Sequence, residues 1–232
     1  MKKLKTNITI GRFQPFTKGH INMINEGGYR CLVFRINSND IIKSLGQFKI
    51  KGKLVSKKNI ENVLDYIENQ NIELSYIEKE ILKKPFTNDL INKEINIIQK
   101  TNDIIVDITN VKNMFEALIY FNSFVYDNKE IEPCYLMCGN DRAIQYQETI
   151  DKYDEIDHPI DNIKIPNVLK NKLKVNIGNG RTEGISGTEL RNSIINKDKE
   201  KFSNIMPNGC DILFNDFIEA FDIFKIKLQN LI

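Results

Sequence analysis

Short apolar runs and longer amphipathic stretches alternate along this chain. Residues 6–10, 31–37, 72–77, 103–108, 134–138 and 173–177 have the length and apolar character of buried strands. Between most of them apolar residues recur every three or four positions, as in Ile60, Val63, Leu64 and Ile67. This spacing predicts helices over 19–27, 57–69, 88–100, 114–126, 142–149, 188–196 and 211–231. Strand and helix in alternation mean crossover units, hence an α/β fold: a doubly wound parallel sheet with helices on both faces. Such a sheet offers a ligand the carboxyl ends of its strands, where the strand order reverses. The pattern predicts an α/β domain over 1–206 and, after the break Pro207-Asn208-Gly209, a C-terminal helix over 207–232 packed on it. Leu213, Phe214, Phe217, Ile218, Phe221, Phe224 and Leu228 give that helix a wide apolar arc. The arc is read as covering its own core, with docking on a second copy in a homo-oligomer as the alternative.

At 232 residues the chain is long enough to bury one substantial core. Its net charge of +2 lacks the large positive field of a protein that grips nucleic acid through backbone phosphates, so no nucleic-acid partner is expected. Cys31, Cys134, Cys138 and Cys210 sit on or beside apolar segments without metal-ligand spacing, and read as free thiols in a reducing setting. No apolar run has the length of a membrane span or follows the basic start as in a signal peptide. A cytoplasmic protein with no membrane partner is the expectation.

Two segments carry chemistry. Residues 11–20 read Gly-Arg-Phe-Gln-Pro-Phe-Thr-Lys-Gly-His, and residues 181–191 read Arg-Thr-Glu-Gly-Ile-Ser-Gly-Thr-Glu-Leu-Arg. Each follows a strand and opens a helix, where free backbone amides and the helix dipole gather anionic phosphate. In the first box Gly11 is expected to let a ligand approach the backbone, Pro15 fixes a turn, Gly19 opens the helix and His20 projects near the phosphates. In the second, Ser186, Gly187 and Thr188 stand at the helix start, and Arg191 lies one turn beyond Thr188 on the same face. A planar guanidinium there suits a bidentate grip on phosphate oxygens.

With Thr17, Lys18, Gly19 and His20 in place, the chain resembles the nucleotidylyltransferase superfamily, whose box is histidine or threonine, any residue, glycine, histidine. The lead-in Gly-Arg-Phe-Gln-Pro is most similar to nicotinamide-mononucleotide adenylyltransferases and related phage enzymes. Histidine commonly takes the place of Thr17 in those, whereas threonine there is familiar from phosphopantetheine adenylyltransferases. Residues 185–191, Ile-Ser-Gly-Thr-Glu-Leu-Arg, resemble the phosphate-binding motif of adenylyltransferases, while 181–186 resemble a cytidylyltransferase signature, from which Gly187 departs. The resemblance implies a Rossmann-like fold. It implies His20, Thr17 and Arg191 as catalytic residues and Gly11, Arg12, Phe13, Gly19, Arg181, Ile185, Ser186 and Thr188 as nucleotide contacts. Gly139, Asp141 and Arg142 resemble the family segment that meets base, ribose or phosphates. Asp141 alone would also serve as a helix cap.

The lysine-rich loop 43–53 follows the second strand, where related enzymes hold an acceptor-side lysine, making Lys53 or Lys51 the candidate. The acidic stretch 151–158 has no calcium-loop geometry, and no protein metal site is expected. Magnesium (Mg2+) would arrive on the nucleoside triphosphate. The implied reaction is transfer of AMP from ATP to a small phosphorylated acceptor, best represented by nicotinamide mononucleotide, with release of pyrophosphate. Two alternatives stand beside it: a cytidylyltransferase using CTP and an alcohol or sugar phosphate, and a nucleotide-sensing module without turnover.

Overall fold

The computed structural model describes residues 3–13, 15–36, 49–50, 53–54, 88–156, 165–178 and 185–229, with side chains outside the description at 49–50, 53–54, 88 and 223–229. Element numbers below run through these described residues. Five parallel strands form the main sheet: β1 (Leu4–Gly11), β2 (Arg30–Ile36), β5 (Ile105–Val111), β6 (Ile131–Cys138) and β7 (Lys174–Ile177), in the order β5-β2-β1-β6-β7. The chain therefore builds outward from β1 through β2 to β5, then crosses to the other side for β6 and β7. The reversal falls between β1 and β6, and puts the crevice of a doubly wound, Rossmann-like α/β fold above Gly11 and Cys138.

Side-chain alternation along the strands feeds a core on each face. Cys31 and Val33 of β2 join one cluster; Leu32 and Phe34 join the other. The first cluster packs under α1 (Lys18–Glu26), α2 (Asn88–Thr101), α5 (Gly187–Ile195), α6 (Lys199–Ile205) and α7 (Phe214–Gln229). The second packs under α3 (Met114–Asp127) and α4 (Ala143–Asp154). Phe214, Phe217 and Phe221 are buried with Leu190, Ile194, Phe202 and Ile205, so the described part of the C-terminal arc covers the chain's own core.

A buried asparagine sets the seam at the switch point. The β1–β6 register shifts between Thr6 and Ile8, and Asn7 lies in the shift. Its Oδ1 accepts from the Tyr135 amide at 3.2 Å, and its Nδ2 donates to the Gly27 carbonyl at 3.3 Å, tying the end of α1 to the sheet. One residue pair on, Thr9 Oγ1 donates to the Met137 carbonyl at 3.0 Å, and Tyr146 of α4 donates to the Ile10 carbonyl at 2.6 Å.

Several sequence expectations need adjusting. The last helix begins with a 3-10 turn (Cys210–Leu213) before α7, and α4 runs five residues beyond the expected end at 149. The lysine-rich loop contains a short antiparallel hairpin, β3 (Lys49–Ile50) with β4 (Lys53–Leu54). The helix expected over 57–69 and the strand expected over 72–77 lie outside the described residues. Among the described residues no helix is long and apolar enough to cross a membrane. All four cysteines are free thiols; burial pushes Cys31 above the usual thiol range and Cys210 up to about 12.

Candidate active site

The turn leaving β1 delivers Thr17 as the N-cap of α1, with extended backbone at φ −128° and ψ 160°. A capping box follows, with histidine as its third member. The Thr17 hydroxyl accepts from the His20 amide at 3.4 Å, and the Thr17 amide donates to His20 Nδ1 at 3.0 Å. Because a backbone N–H only donates, Nδ1 must be an acceptor, and the ring proton of neutral His20 sits on Nε2. Phe13 and Phe16 stack with centroids 4.6 Å apart and both present edge-to-face geometry to the imidazole, at 5.1 and 6.1 Å. Desolvation in this aromatic collar lowers the His20 pKa to about 4. His20 is therefore a neutral Nε2–H donor at pH 7, already oriented.

Phe13 and Gly11 pack against each other. Phe13 is 5% exposed and adopts φ 43°, a left-handed conformation unusual for an aromatic residue. Its ring occupies the space above Gly11, where an added Cβ would lie 2.9 Å from the ring. The glycine thus admits a side chain of its own turn. Thr17 is 2% exposed, and its hydroxyl also lies 3.1 Å from His20 Nδ1, so both its amide and its hydroxyl meet the imidazole. Arg12 is exposed.

The second box builds a second helix N-terminus. Ser186, the N-cap of α5, accepts from the Glu189 amide at 3.1 Å. Arg191 folds back along the helix: Nη2 donates to Thr188 Oγ1 at 3.1 Å, and Nη1 lies 3.1 Å from the point where a Cβ on Gly187 would sit. Its guanidinium therefore stands over the first turn, beside amides that helix geometry leaves without internal partners.

The two boxes adjoin. A Cβ on Gly19 would lie 3.5 Å from Ile185 Cγ2 and 3.7 Å from its carbonyl oxygen. Lys18 Nζ donates to the Ser203 carbonyl of α6 at 3.1 Å, and Lys201 of α6 pairs with Glu189 of α5, forming a chain of contacts from one box to the other. The third segment follows β6. Gly139 caps a 3-10 turn (Asn140–Arg142) without any side-chain cap, which corrects the expectation that Asp141 caps the helix. Asp141 is inside that turn, and its Oδ1 lies 2.9 Å from the Cβ position of Gly139. Arg142 is exposed and donates to Gln145 at 3.1 Å. Of the remaining candidates, Arg181 and Lys51 lie outside the described residues, and Lys53 is described only as backbone in β4.

Two residues that the sequence reading did not single out support the first box. Arg35 of β2 donates from Nε to the Arg12 carbonyl at 3.3 Å, and Glu94 of α2 accepts from the Phe16 amide at 2.9 Å. Burial pushes the Glu94 carboxyl up to about 8 against the opposing pull of Arg35 and the Phe16 amide, and burial lowers the Arg35 pKa. Both had a sequence signal: a charge inside the apolar run 31–36, and one on the apolar stripe of Leu90, Ile91, Ile95 and Ile98.

No protein-family model and no curated protein matches the chain. Among solved structures, it is similar to a candidate nicotinate-nucleotide adenylyltransferase from Vibrio parahaemolyticus. The TM-score is 0.46 at 11% identity, over 91% of this chain and 98% of that one. It is also similar to the nicotinic acid mononucleotide adenylyltransferase of Plasmodium falciparum complexed with NaAD. There the TM-score is 0.44 at 12% identity, over 96% and 98% of the two chains.

Proposed function

We propose that the chain is a nucleotidylyltransferase that transfers AMP from ATP to a small phosphorylated acceptor, with nicotinamide mononucleotide as the leading acceptor and NAD as the product. The observation that carries this reading is the meeting of two capped helix N-termini, one bearing His20 and the other Arg191, beside the strand switch point. An acceptor phosphate oxygen attacks the α-phosphorus in line. A new phosphoanhydride bond forms, the bond from the α-phosphorus to the bridging oxygen breaks, and that oxygen leaves on pyrophosphate.

The acceptor phosphate is ionised at neutral pH, so no enzyme nucleophile is needed. The protein's work is positioning and charge stabilisation. Neutral His20 donates its Nε2 proton in a hydrogen bond to a phosphate oxygen, without the desolvation that a buried cation would entail. Arg191, permanently charged, takes the developing negative charge on the other side. The triphosphate enters as its magnesium complex, the ion held by phosphate oxygens and water.

Pyrophosphate release measured with ATP and with CTP, each against nicotinamide mononucleotide and a panel of other phosphorylated acceptors, tests the reading. Release with ATP and nicotinamide mononucleotide is expected. Release with CTP alone transfers the assignment to cytidylyl transfer, and nucleotide binding with no release from any pair identifies a sensor.

A further inference from the structure

Arg35 and Glu94 are each 1% exposed, lie on different elements, and reach opposite ends of one turn. Arg35 Nε holds the Arg12 carbonyl where β1 ends, and Glu94 Oε1 holds the Phe16 amide where α1 is about to begin. Between those anchors Phe13 sits at φ 43°, a conformation that persists only when the surroundings impose it. Immediately after Phe16 comes the Thr17 amide, which donates to His20 Nδ1. A shift of the Phe16 amide is thus passed through one peptide unit to the group that fixes the imidazole's tautomer and angle.

Two ionisable side chains are an unfavourable way to fill a core, and an apolar pair of similar volume often serves stability as well or better. Their backbone partners supply a different reason for them. We propose that Arg35 and Glu94 are positioning residues, a buried clamp from sheet and helix that fixes the Arg12–Phe16 turn and through Thr17 holds His20 in place to donate to phosphate. The consequence for turnover rests on the nucleotidyl-transfer reading above; the consequence for the geometry of His20 does not.

The chain has two histidines, so a His158→Asn background leaves the His20 imidazole alone in an NMR spectrum. In that background the ring is followed from pH 5 to 8, alongside kcat and KM for pyrophosphate release. The unclamped protein is R35M/E94L, which removes both ionisable groups together and so leaves neither one buried alone. Should it not fold, R35K, which keeps the positive charge but loses the Nε donor, takes its place. With the clamp intact the ring stays neutral and Nε2-protonated throughout.

Loss of the clamp is expected to bring the titration of the ring up into this pH range, toward its ordinary value, as the aromatic collar loosens. It is also expected to lower kcat about tenfold or more while KM for ATP moves less. E94Q, whose side-chain carbonyl still accepts from Phe16, should restore the wild-type ring titration. An unclamped, folded variant whose ring stays neutral and Nε2-protonated from pH 5 to 8 overturns the proposal, because a core pair that contributes only stability leaves the ring untouched. If no nucleotide pair supports turnover in the wild type, the proposed function fails, and the ring titration still decides the clamp.

Discussion

The two boxes reach the same end, a capped helix N-terminus beside its neighbour, by opposite routes. The second is local: Ser186 bonds three residues ahead to Glu189, and Arg191 bonds three residues back to Thr188, so one helical turn contains nearly the whole device. The first is assembled from afar. His20 owes its tautomer to Thr17, its desolvation to Phe13 and Phe16, and the turn beneath those rings to Arg35 and Glu94, distant in sequence. A locally encoded helix start tolerates change around it. A site assembled from distant groups gains a preorganised neutral donor and becomes sensitive to its surroundings.

The largest effect that would break this contrast concerns His20 itself. His20→Ala is expected to lower kcat by about a hundredfold or more, as for other lost preorganised donors, and to change nucleotide affinity much less. Steady-state kinetics beside a binding titration checks both numbers, and equal turnover in mutant and wild type would remove His20 from the chemistry.

Next in size is the pH dependence that the enclosed box gives the fold. The folded-state pKa of His20 is lowered from 6.5 to about 4, so between those values the unfolded chain binds the extra proton and stability falls as pH falls. For Glu94 it is raised from 4.5 to about 8, so in that window the folded chain binds the extra proton and stability falls as pH rises. Each slope is bounded by about 1.4 kcal/mol per pH unit. Between pH 4.5 and 6.5 the two slopes oppose each other, so melting temperatures measured from pH 4.5 to 8.5 are expected to stay level there and decline toward pH 8; His20→Ala should extend that decline down to pH 4.5, and Glu94→Gln should remove it and leave a fall toward acid.

Gly11→Ala probes the enclosure sterically. The new Cβ would meet the Phe13 ring at 2.9 Å, and that ring is fixed against Phe16, so overpacking of about 1–3 kcal/mol is expected in denaturant melts. The sequence places this glycine correctly at the end of β1 but suggests a ligand as the reason. The structure places a side chain there, because φ 43° at Phe13 swings the ring back over the strand end, and no sequence rule foretells that angle for a phenylalanine.

Legibility follows the same division. The β1-to-α1 and β7-to-α5 boxes could be read because their bonds span three residues, and the sheet because its apolar runs are short and continuous. Arg35 and Glu94 announced themselves only as charges in apolar patterns; their common target required the fold. The short helix α6 escaped because Phe202 and Ile205 alone are too few to establish a period, although Asp198 caps it at 2.9 Å on the Lys201 amide. Asp141 does not serve as a cap because it lies inside the 3-10 turn Asn140–Arg142, two residues past the cap position, which Gly139 holds.

For the second box, Arg191→Lys keeps the charge and loses the planar fork, so about a tenfold loss in kcat/KM is expected, with the melting temperature nearly unchanged.

The smallest expected effect sharpens the contrast most. Gly187→Ala places a Cβ 3.1 Å from Arg191 Nη1, the far end of a flexible side chain. The guanidinium can move a few tenths of an ångström without disturbing a core, so folding should be unaffected and alanine's better helix propensity can even add slightly to it. The grip on phosphate should weaken only severalfold, seen as a rise in KM for the nucleotide. Gly11→Ala meets a ring locked by its neighbours, while Gly187→Ala meets a side chain free to yield. A melting-temperature loss at Gly187 equal to that at Gly11 would show that the second helix start is held as rigidly as the first, and the distinction between a local and a distributed site would fail.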